Sequence, residues 1–418
     1  MKRAFYIWIW FFLLLASTNS QVLRKPSFQP PKPIVGLAGN SIGDIKWDGN
    51  QVWVGTGSGL SKSIGGGDTV FDWYTYKKEH GLGEDGISTV TVAKGEVWVS
   101  TSSGTSDRPI GNGISMTENE GDTWLTLTPD ETVGPGNIAW DIALTDTAIW
   151  AACWNGYGQF DGGLIKSSDG GQTWETVIPT TEKNGQFTFA VLIDSSDIWV
   201  GTAAGISKST DGGQSWVTYN SERDGITGNW VFSFGVQRLS GGKILWACTW
   251  PTGENESYGV SKTEDGGATW TTCDSLNNIQ AIDFAFQDSV VWVATFRGLK
   301  KSSDGGRTWE TYTTEQGLAS NEVTSVEIAD GVIWVGTTDG LNRSKDDGKT
   351  WELIRTSSPT ARLDLKPTYA FPNPFSPFRH QFVRIRYSIS SSDRVTIKIF
   401  DFAMDEVITL VAGEFRQG

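Results

Sequence analysis

Three stretches of the chain gather groups that could contact a ligand, two of them setting large aromatic rings beside carboxylates and amides. They are SSGTSDRPIGNG at 102–113, WNGYGQFDGG at 154–163 and WPTGENESYG at 250–259. An aromatic face is apolar while its polar neighbours fix orientation, a combination that suits a sugar ring or a protein surface. The candidate ligand-binding set is therefore Asp107, Arg108, Trp154, Tyr157, Asp161, Trp250, Glu254 and Tyr258, with Phe160 and Glu256 alongside. The competing reading is that Trp154 and Trp250 merely close the ends of their own strands. Other chemistries find little support. A net charge of −14 and a pI near 4.7 leave no cationic stripe for nucleic acid. The two histidines, His80 and His380, lie far apart and outside any motif. A His-rich metal site and Ser/His/Asp catalysis are both unsupported, and no metal or cofactor is expected. Cys153, Cys248 and Cys273 cannot form a closed disulfide framework and read as buried thiols.

The elements that must position these residues repeat. VWVGT at 52–56 returns as VWVST at 97–101, IWAAC at 149–153, IWVGT at 198–202, LWACT at 245–249, VWVAT at 291–295 and IWVGT at 333–337. The mean spacing is about 47 residues, within the range of a propeller blade. Downstream of each segment comes an acidic turn: SSDGGQTW at 167–174, STDGGQSW at 209–216, TEDGGATW at 263–270, SSDGGRTW at 302–309 and SKDDGKTW at 344–351. TENEGDTW at 117–124 is a weaker copy and SIGGGDTV at 63–70 a degenerate one. Alternating apolar and β-branched residues around each strand tryptophan favour a half-buried strand. The Asp supplies an acceptor for backbone N–H groups and the glycines tolerate positive φ, which suits a hairpin. A lone four-stranded sheet exposes both faces, whereas seven arranged radially bury them against each other. The expected fold is all-β: a seven-bladed β-propeller with four-stranded blades over 40–356. With strands running from the axis outwards, the acidic turns join third to fourth strands. The loops between second and third strands then lie on the opposite face, with the connections to the next blade. Blades 1, 4, 6 and 7 carry minimal loops there (TGSG, TAAG, TFRG, TTDG), and blades 2, 3 and 5 carry the three expanded ones.

These turns resemble the Asp-box (BNR-type) repeat, S-x-D-x-G-x-T-W, of sialidases, sortilin-type receptors, xyloglucanases and photosystem-assembly propellers. The (V/I)-W-V-G-T-x-x-G-L segments are similar to the repeats of two-component-regulator sensor propellers. The resemblance implies that the box is a structural turn remote from the ligand. It assigns Asp169, Trp174, Asp211, Trp216, Asp265, Trp270, Asp304, Trp309, Asp346 and Trp351 to folding. A sialidase-like site would need three converging arginines, for which Arg108, Arg223 and Arg297 are candidates, with Asp85, Tyr157 and Asp161 as catalytic partners. The usual sialidase ring has six blades, however, and the R-I-P signature is absent, the chain reading DRPI at 107–110. Xyloglucanase-like enzymes place catalysis between two propellers, and one is expected here. A two-carboxylate mechanism requires a pair about 5–10 Å apart, a distance that sequence does not give. The preferred reading is a non-enzymatic protein binding polysaccharide or protein, with no catalytic residue assigned. A sialidase-like or xyloglucanase-like glycoside hydrolase is the alternative. A sensory propeller is disfavoured because no transmembrane or kinase-like segment follows the ring.

Both ends carry addresses. Lys2 and Arg3 precede the apolar run AFYIWIWFFLLLA at 4–16, followed by small and polar residues through Ser20. This reads as a signal peptide over 1–20, and the run is short of the roughly 20 residues of a spanning helix. The mature chain is expected to be secreted or on the cell surface. Nine of 14 prolines fall in two stretches, four between Pro26 and Pro33 and five between Pro359 and Pro377. They mark an N-terminal segment at 21–39 and a linker at 357–377. Beyond the linker, strands are expected at 382–389, 395–401 and 407–411. Pro372-Asn373-Pro374-Phe375, Ile385-Arg386-Tyr387, Lys398-Ile399-Phe400-Asp401 and Thr409-Leu410-Val411 resemble C-terminal Ig-like modules of Bacteroidota-type exported proteins. That likeness, shared with hook-capping and type IX sorting domains, implies a secretion machinery as partner. A sandwich of about 100 residues cannot close within this tail, so 378–418 reads as a truncated Ig-like sorting or anchoring domain, a partial β-sandwich.

Overall fold

The computed structural model describes residues 34–66, 72–105, 108–127, 138–154, 162–356, 368–371, 384–387, 392–400 and 406–416. The signal-like segment and Asp107, Tyr157, Phe160 and Asp161 lie outside them. Seven antiparallel sheets follow one another along 34–356, six of four strands and one of five. In the four-stranded sheets strand order follows chain order, and in the five-stranded one it does so apart from Ile34–Val35, which pairs beside the last strand, so every blade is built on a meander. The expected all-β, seven-bladed β-propeller is the observed fold.

The second strand of each blade shows why the repeated segment has its composition. All five residues of Val52–Thr56 and all six of Val332–Thr337 are buried, because neighbouring blades cover both faces of the sheet. The strand tryptophans Trp53, Trp98, Trp150, Trp199, Trp246, Trp292 and Trp334 are at most 2% exposed. Each core cluster bridges a blade boundary: Trp292 and Leu299 of blade 6, for instance, pack with Val326 and Val335 of blade 7. Emptying one such tryptophan site costs about 3–5 kcal/mol.

The acidic turns fasten the rim. In blade 3, Asp169 Oδ1 accepts from Ser167 Oγ at 2.8 Å and from the Thr173 amide at 2.8 Å, while Oδ2 accepts from Thr173 Oγ1 at 2.6 Å. The same set recurs at Asp211, Asp265, Asp304 and Asp346. These bonds, the side-chain hydroxyl foremost, pull the carboxyls of Asp169, Asp265 and Asp346 down to about 2. In the weaker copy Asn119 takes the place of Asp and accepts from Thr117 Oγ1 and the Thr123 amide, both at 2.9 Å. The second turn glycine is the contact point between blades. Gly213 has φ +90°, and a Cβ there would sit 2.7 Å from Cη2 of Trp150 in the preceding blade. Third-strand lysines complete the joint. Lys208 Nζ lies 4.7 Å from the Trp199 ring and donates to Gly266 O in the next blade's turn at 2.9 Å, and Lys262 repeats this with Trp246 and Gly305 O.

The ring closes by packing rather than by strand exchange. Blade 1 takes its strands Ile42–Trp47, Val52–Thr56, Gly59–Ile64 and Asp72–Tyr76 from one continuous stretch, and Ile34–Val35 adds a fifth at its outer edge. Leu37, Ile42 and Val54 of the first-blade region share a core with Trp334 and Leu341 of blade 7. Thr324 Oγ1 donates to Ile42 O at 2.8 Å, and the Thr356 amide donates to Asn40 Oδ1 at 2.7 Å. Past the ring, Thr368–Phe371 pairs with Arg384–Tyr387, and Asp393–Phe400 with Glu406–Arg416. Among the described residues no helix is long and apolar enough to cross a membrane.

One expected loop is a strand pair. In blade 2 residues 102–105 and 108–113 continue the hairpin: after a register shift between Ser100 and Ser102 the ladder resumes as Ser102↔Gly111, Ser103↔Ile110, Gly104↔Pro109 and Thr105↔Arg108. Gly104 (φ +92°) and Gly113 (φ +90°) supply the backbone freedom that lets the strands re-pair past the shift.

Candidate functional site

The seven innermost strands surround the propeller axis. Each carries a register irregularity at the same place, near the end facing the expanded loops. A bulge leaves one residue outside the ladder and re-aims its side chain. In blades 3 to 6 that residue is Trp140, Phe189, Phe232 and Ile282. In blades 7, 1 and 2 it is Thr324, Gly43 and Ser88. One arc of the axial mouth is thus aromatic and apolar, and the other is small and hydroxylic.

The aromatic arc is one continuous row across blades 3 to 6. Trp154, at the end of the second strand Ile149–Trp154, meets Phe187 at 5.8 Å, Phe189 at 5.1 Å and Trp230 at 5.9 Å between ring centroids. Trp230 stacks on Phe232 at 5.0 Å and reaches Trp250 at 6.3 Å. Trp250 contacts Phe232 at 4.2 Å, Tyr258 at 5.5 Å and Phe296 at 6.1 Å. Offset and edge-to-face pairs of this kind favour a fixed arrangement beyond area burial. Two indoles are also pinned by hydrogen bonds, Trp140 Nε1 to Trp154 O and Trp250 Nε1 to Ala281 O, both 2.9 Å. Phe189 is buried beneath the row, while Trp154, Trp230, Trp250 and Tyr258 are half-buried.

The loop carrying Tyr258 is organised by Glu256. Its carboxylate accepts from the Asn229 amide at 2.9 Å, Asn229 Nδ2 at 2.6 Å and the Thr252 amide at 2.8 Å, tying the loop to the connection between blades 4 and 5. Glu254 sits exposed near the tip of that loop. Arg108 is paired with Thr105 at the end of the blade 2 hairpin. The structure therefore gathers Trp154, Trp250 and Tyr258 into one surface. It leaves Glu254 at the edge. Phe187, Phe189, Trp230, Phe232 and Phe296, which complete the row, were not among the sequence candidates.

Of the arginines in the sialidase reading, Arg223 is engaged locally. Arg223 belongs to the short helix Ser221–Asp224 after the outer strand of blade 4, where it bonds Asp224 and donates to Thr218 O. Asp85 accepts from the Lys78 amide at 2.9 Å within its own connection.

Below the mouth, the inner strands carry charge. Asp44, Asp141 and Asp283 occupy equivalent positions, and each reaches the next blade, accepting from the amides of Val90 (2.8 Å), Val191 (2.9 Å) and Val326 (3.0 Å). Each also accepts from the amide of its own successor in the strand. Lys46 bonds Asp44 at 3.0 Å. These side chains open onto the narrow axial space but have protein on every side, and burial dominates. It pushes Asp141 and Glu327 up to about 7 and raises Asp283, against the pull of Lys46 and the bonded amides. Lys46 is driven upward by Asp44, Asp283 and Glu327 in spite of its own desolvation, because the carboxylates around it outnumber it. Among the described residues no group of three or more His, Cys, Asp or Glu could hold a metal ion, and the three cysteines are buried free thiols.

Comparison with known proteins bears on the fold. No family model matches the sequence, and no curated protein does. Among solved structures, the chain is similar to the extracellular domain of a one-component system from B. thetaiotaomicron, at 16% identity and TM-score 0.55, over 76% of this chain and 40% of that one. It is similar to the GH74 xyloglucanase from Xanthomonas campestris at 15% identity and TM-score 0.54, over 81% of this chain and 57% of that one. YCF48 from Cyanidioschyzon merolae matches at 16% identity and TM-score 0.50, over 74% and 97%. The chain spans well under two thirds of the first two. At such identities the likeness establishes the class, a seven-bladed β-propeller of four-stranded blades, and nothing finer.

Proposed function

We propose that the protein is an exported or cell-surface binding protein that takes a polysaccharide or protein ligand on the loop face, at the axial mouth between blades 3 and 6. The observation that carries this reading is the continuous row from Trp154 through Trp230 and Trp250 to Tyr258 and Phe296. Half-buried rings fixed by neighbours and by indole hydrogen bonds present an apolar surface at little ordering cost on binding. The acidic turns have no comparable opening, since their carboxylates are spent on their own hairpins.

Binding is favoured over hydrolysis by what the nearby carboxylates do. Glu256 is engaged by four donors, the amides and side chains of Asn229 and Thr252, and Asp141 by two amides. A glycoside hydrolase of the sialidase or xyloglucanase kind would need a pair held open to substrate. The signal-like 1–20 segment, and the likeness of 378–418 to sorting modules, support export and a secretion machinery as partner.

The test is a double variant, Trp154→Ala with Trp250→Ala, assayed against the ligand that a glycan or protein array identifies. Loss of at least tenfold in affinity, about 1.4 kcal/mol, is expected with the fold retained by circular dichroism. Unchanged affinity would sink the reading. Turnover of a glycan that disappears on replacing one loop-face carboxylate would establish the hydrolase instead.

A further inference from the structure

We infer that the ligand of this mouth is an uncharged polysaccharide that lies across both arcs, its ring faces on the aromatic arc and its hydroxyl edge on the other. The inference rests on the binding reading above and narrows it to one chemical class. Three observations carry it.

The first is the division of the seven bulge positions. Trp140, Phe189, Phe232 and Ile282 follow one another around one side. Thr324, Gly43 and Ser88 occupy the remaining side without an aromatic among them. The second is that hydroxyls extend this side into the loops. Ser88 Oγ donates to Ser102 Oγ at 2.9 Å, and Thr338 Oγ1 to Ser320 Oγ at 3.2 Å. Such groups both donate and accept, and so can match sugar hydroxyls in either sense. A lipid chain has no use for that arc. A sugar chain, with a C–H face and a hydroxyl edge, uses both.

The third is charge. The wall below the mouth carries the carboxyl groups of Asp44, Asp141, Asp283 and Glu327 against the single ammonium of Lys46, and even with Asp141 and Glu327 raised to about 7 it holds no excess of positive charge. Arg297, exposed beside Phe296, is one cation at the end of the row and leaves the acidic balance in place. A sialylated or uronic-acid polymer would meet more carboxyl groups than cations here to offset its desolvation, whereas a neutral chain avoids that cost.

Affinity electrophoresis of the full chain tests this, in native gels containing hydroxyethyl cellulose or galactomannan as neutral polymers and polygalacturonate or alginate as anionic ones. The expected result is retardation by at least one neutral polymer and by neither anionic polymer. Tyr258→Ala, at the outer end of the row, should weaken retardation at least fivefold. Ser88→Ala and Thr324→Val should each weaken it about twofold to fivefold, with thermal melting showing that all three variants fold. Retardation by the anionic polymers alone, by no polymer, or by a neutral polymer with every variant equal to the parent overturns the inference. The two readings fail differently. A protein or anionic ligand whose binding still requires Trp154 and Trp250 overturns the neutral-glycan inference and leaves the mouth as the site. A ligand indifferent to both tryptophans removes the mouth itself.

Discussion

The rim turns and the axial mouth are built from the same seven repeats, yet they differ in how much they vary. At the rim, Asp169, Asp211, Asp265, Asp304 and Asp346 make the same bonds to the same partners in five successive blades. At the mouth, the corresponding position passes from Gly43 and Ser88 through Trp140, Phe189, Phe232 and Ile282 to Thr324, with only phenylalanine recurring. A structural joint must be made at every blade boundary, so its chemistry recurs. A binding surface is made once, from parts that each blade contributes differently. The difference separates what holds the ring together from what it presents.

That separation is easiest to break in the core of a blade joint. Trp292→Ala empties a fully buried site beside Tyr312 and the Gly348 turn, and should destabilise by about 3–5 kcal/mol in chemical denaturation. A smaller loss would mean that the blades can collapse around the cavity. Gly213→Ala comes next. Its positive φ and the 2.7 Å approach to Trp150 predict a loss of about 1–3 kcal/mol, while binding at the mouth stays unchanged. Altered binding in that folded variant would join the two regions that the comparison keeps apart.

The smallest effects are in pH dependence, and they have opposite signs. At the rim, Asp169, Asp265 and Asp346 sit near 2, below the unfolded carboxyl. Their contribution is present above about pH 4 and is lost as pH falls through 2. At the axis, Glu327 and Asp141 sit near 7, above their unfolded values. Their contribution is fully present below about pH 4 and is lost as pH rises through 7. Glu327→Gln should therefore raise the melting temperature at pH 8 and leave it nearly unchanged at pH 4, whereas Asp211→Asn should lower it above about pH 4 and change it least near pH 2. Melting curves across pH 2–8 that show the same sign for both variants would contradict this assignment.

The rim was legible in the sequence because it repeats: five near-identical turns and seven strand tryptophans fix the blade count and the direction of each sheet. Trp154, Trp250 and Tyr258 were legible because they stand in loops longer than those of neighbouring blades. Phe187, Phe189, Trp230 and Phe232 were not, since they enter from the connections and first residues of inner strands, whose lengths are ordinary. The signal was present in GQFTF at 185–189 and GNWVF at 228–232, against DGIST at 85–89 in blade 2. A bulge leaves no mark on residue type, so the extra residue that aims Phe189 and Phe232 emerges only from the strand register. The same holds for the 102–113 hairpin, where glycines read as a loop instead mark a re-pairing.

Amide hydrogen exchange of the full chain, with and without the neutral polymer that retards it, compares the two regions in one experiment. The account predicts new protection at 186–190, 229–233 and 250–258, with the turns at 167–173, 209–215 and 302–308 unchanged. Protection at those turns, or on the opposite face at 238–243, with none at the mouth would contradict it.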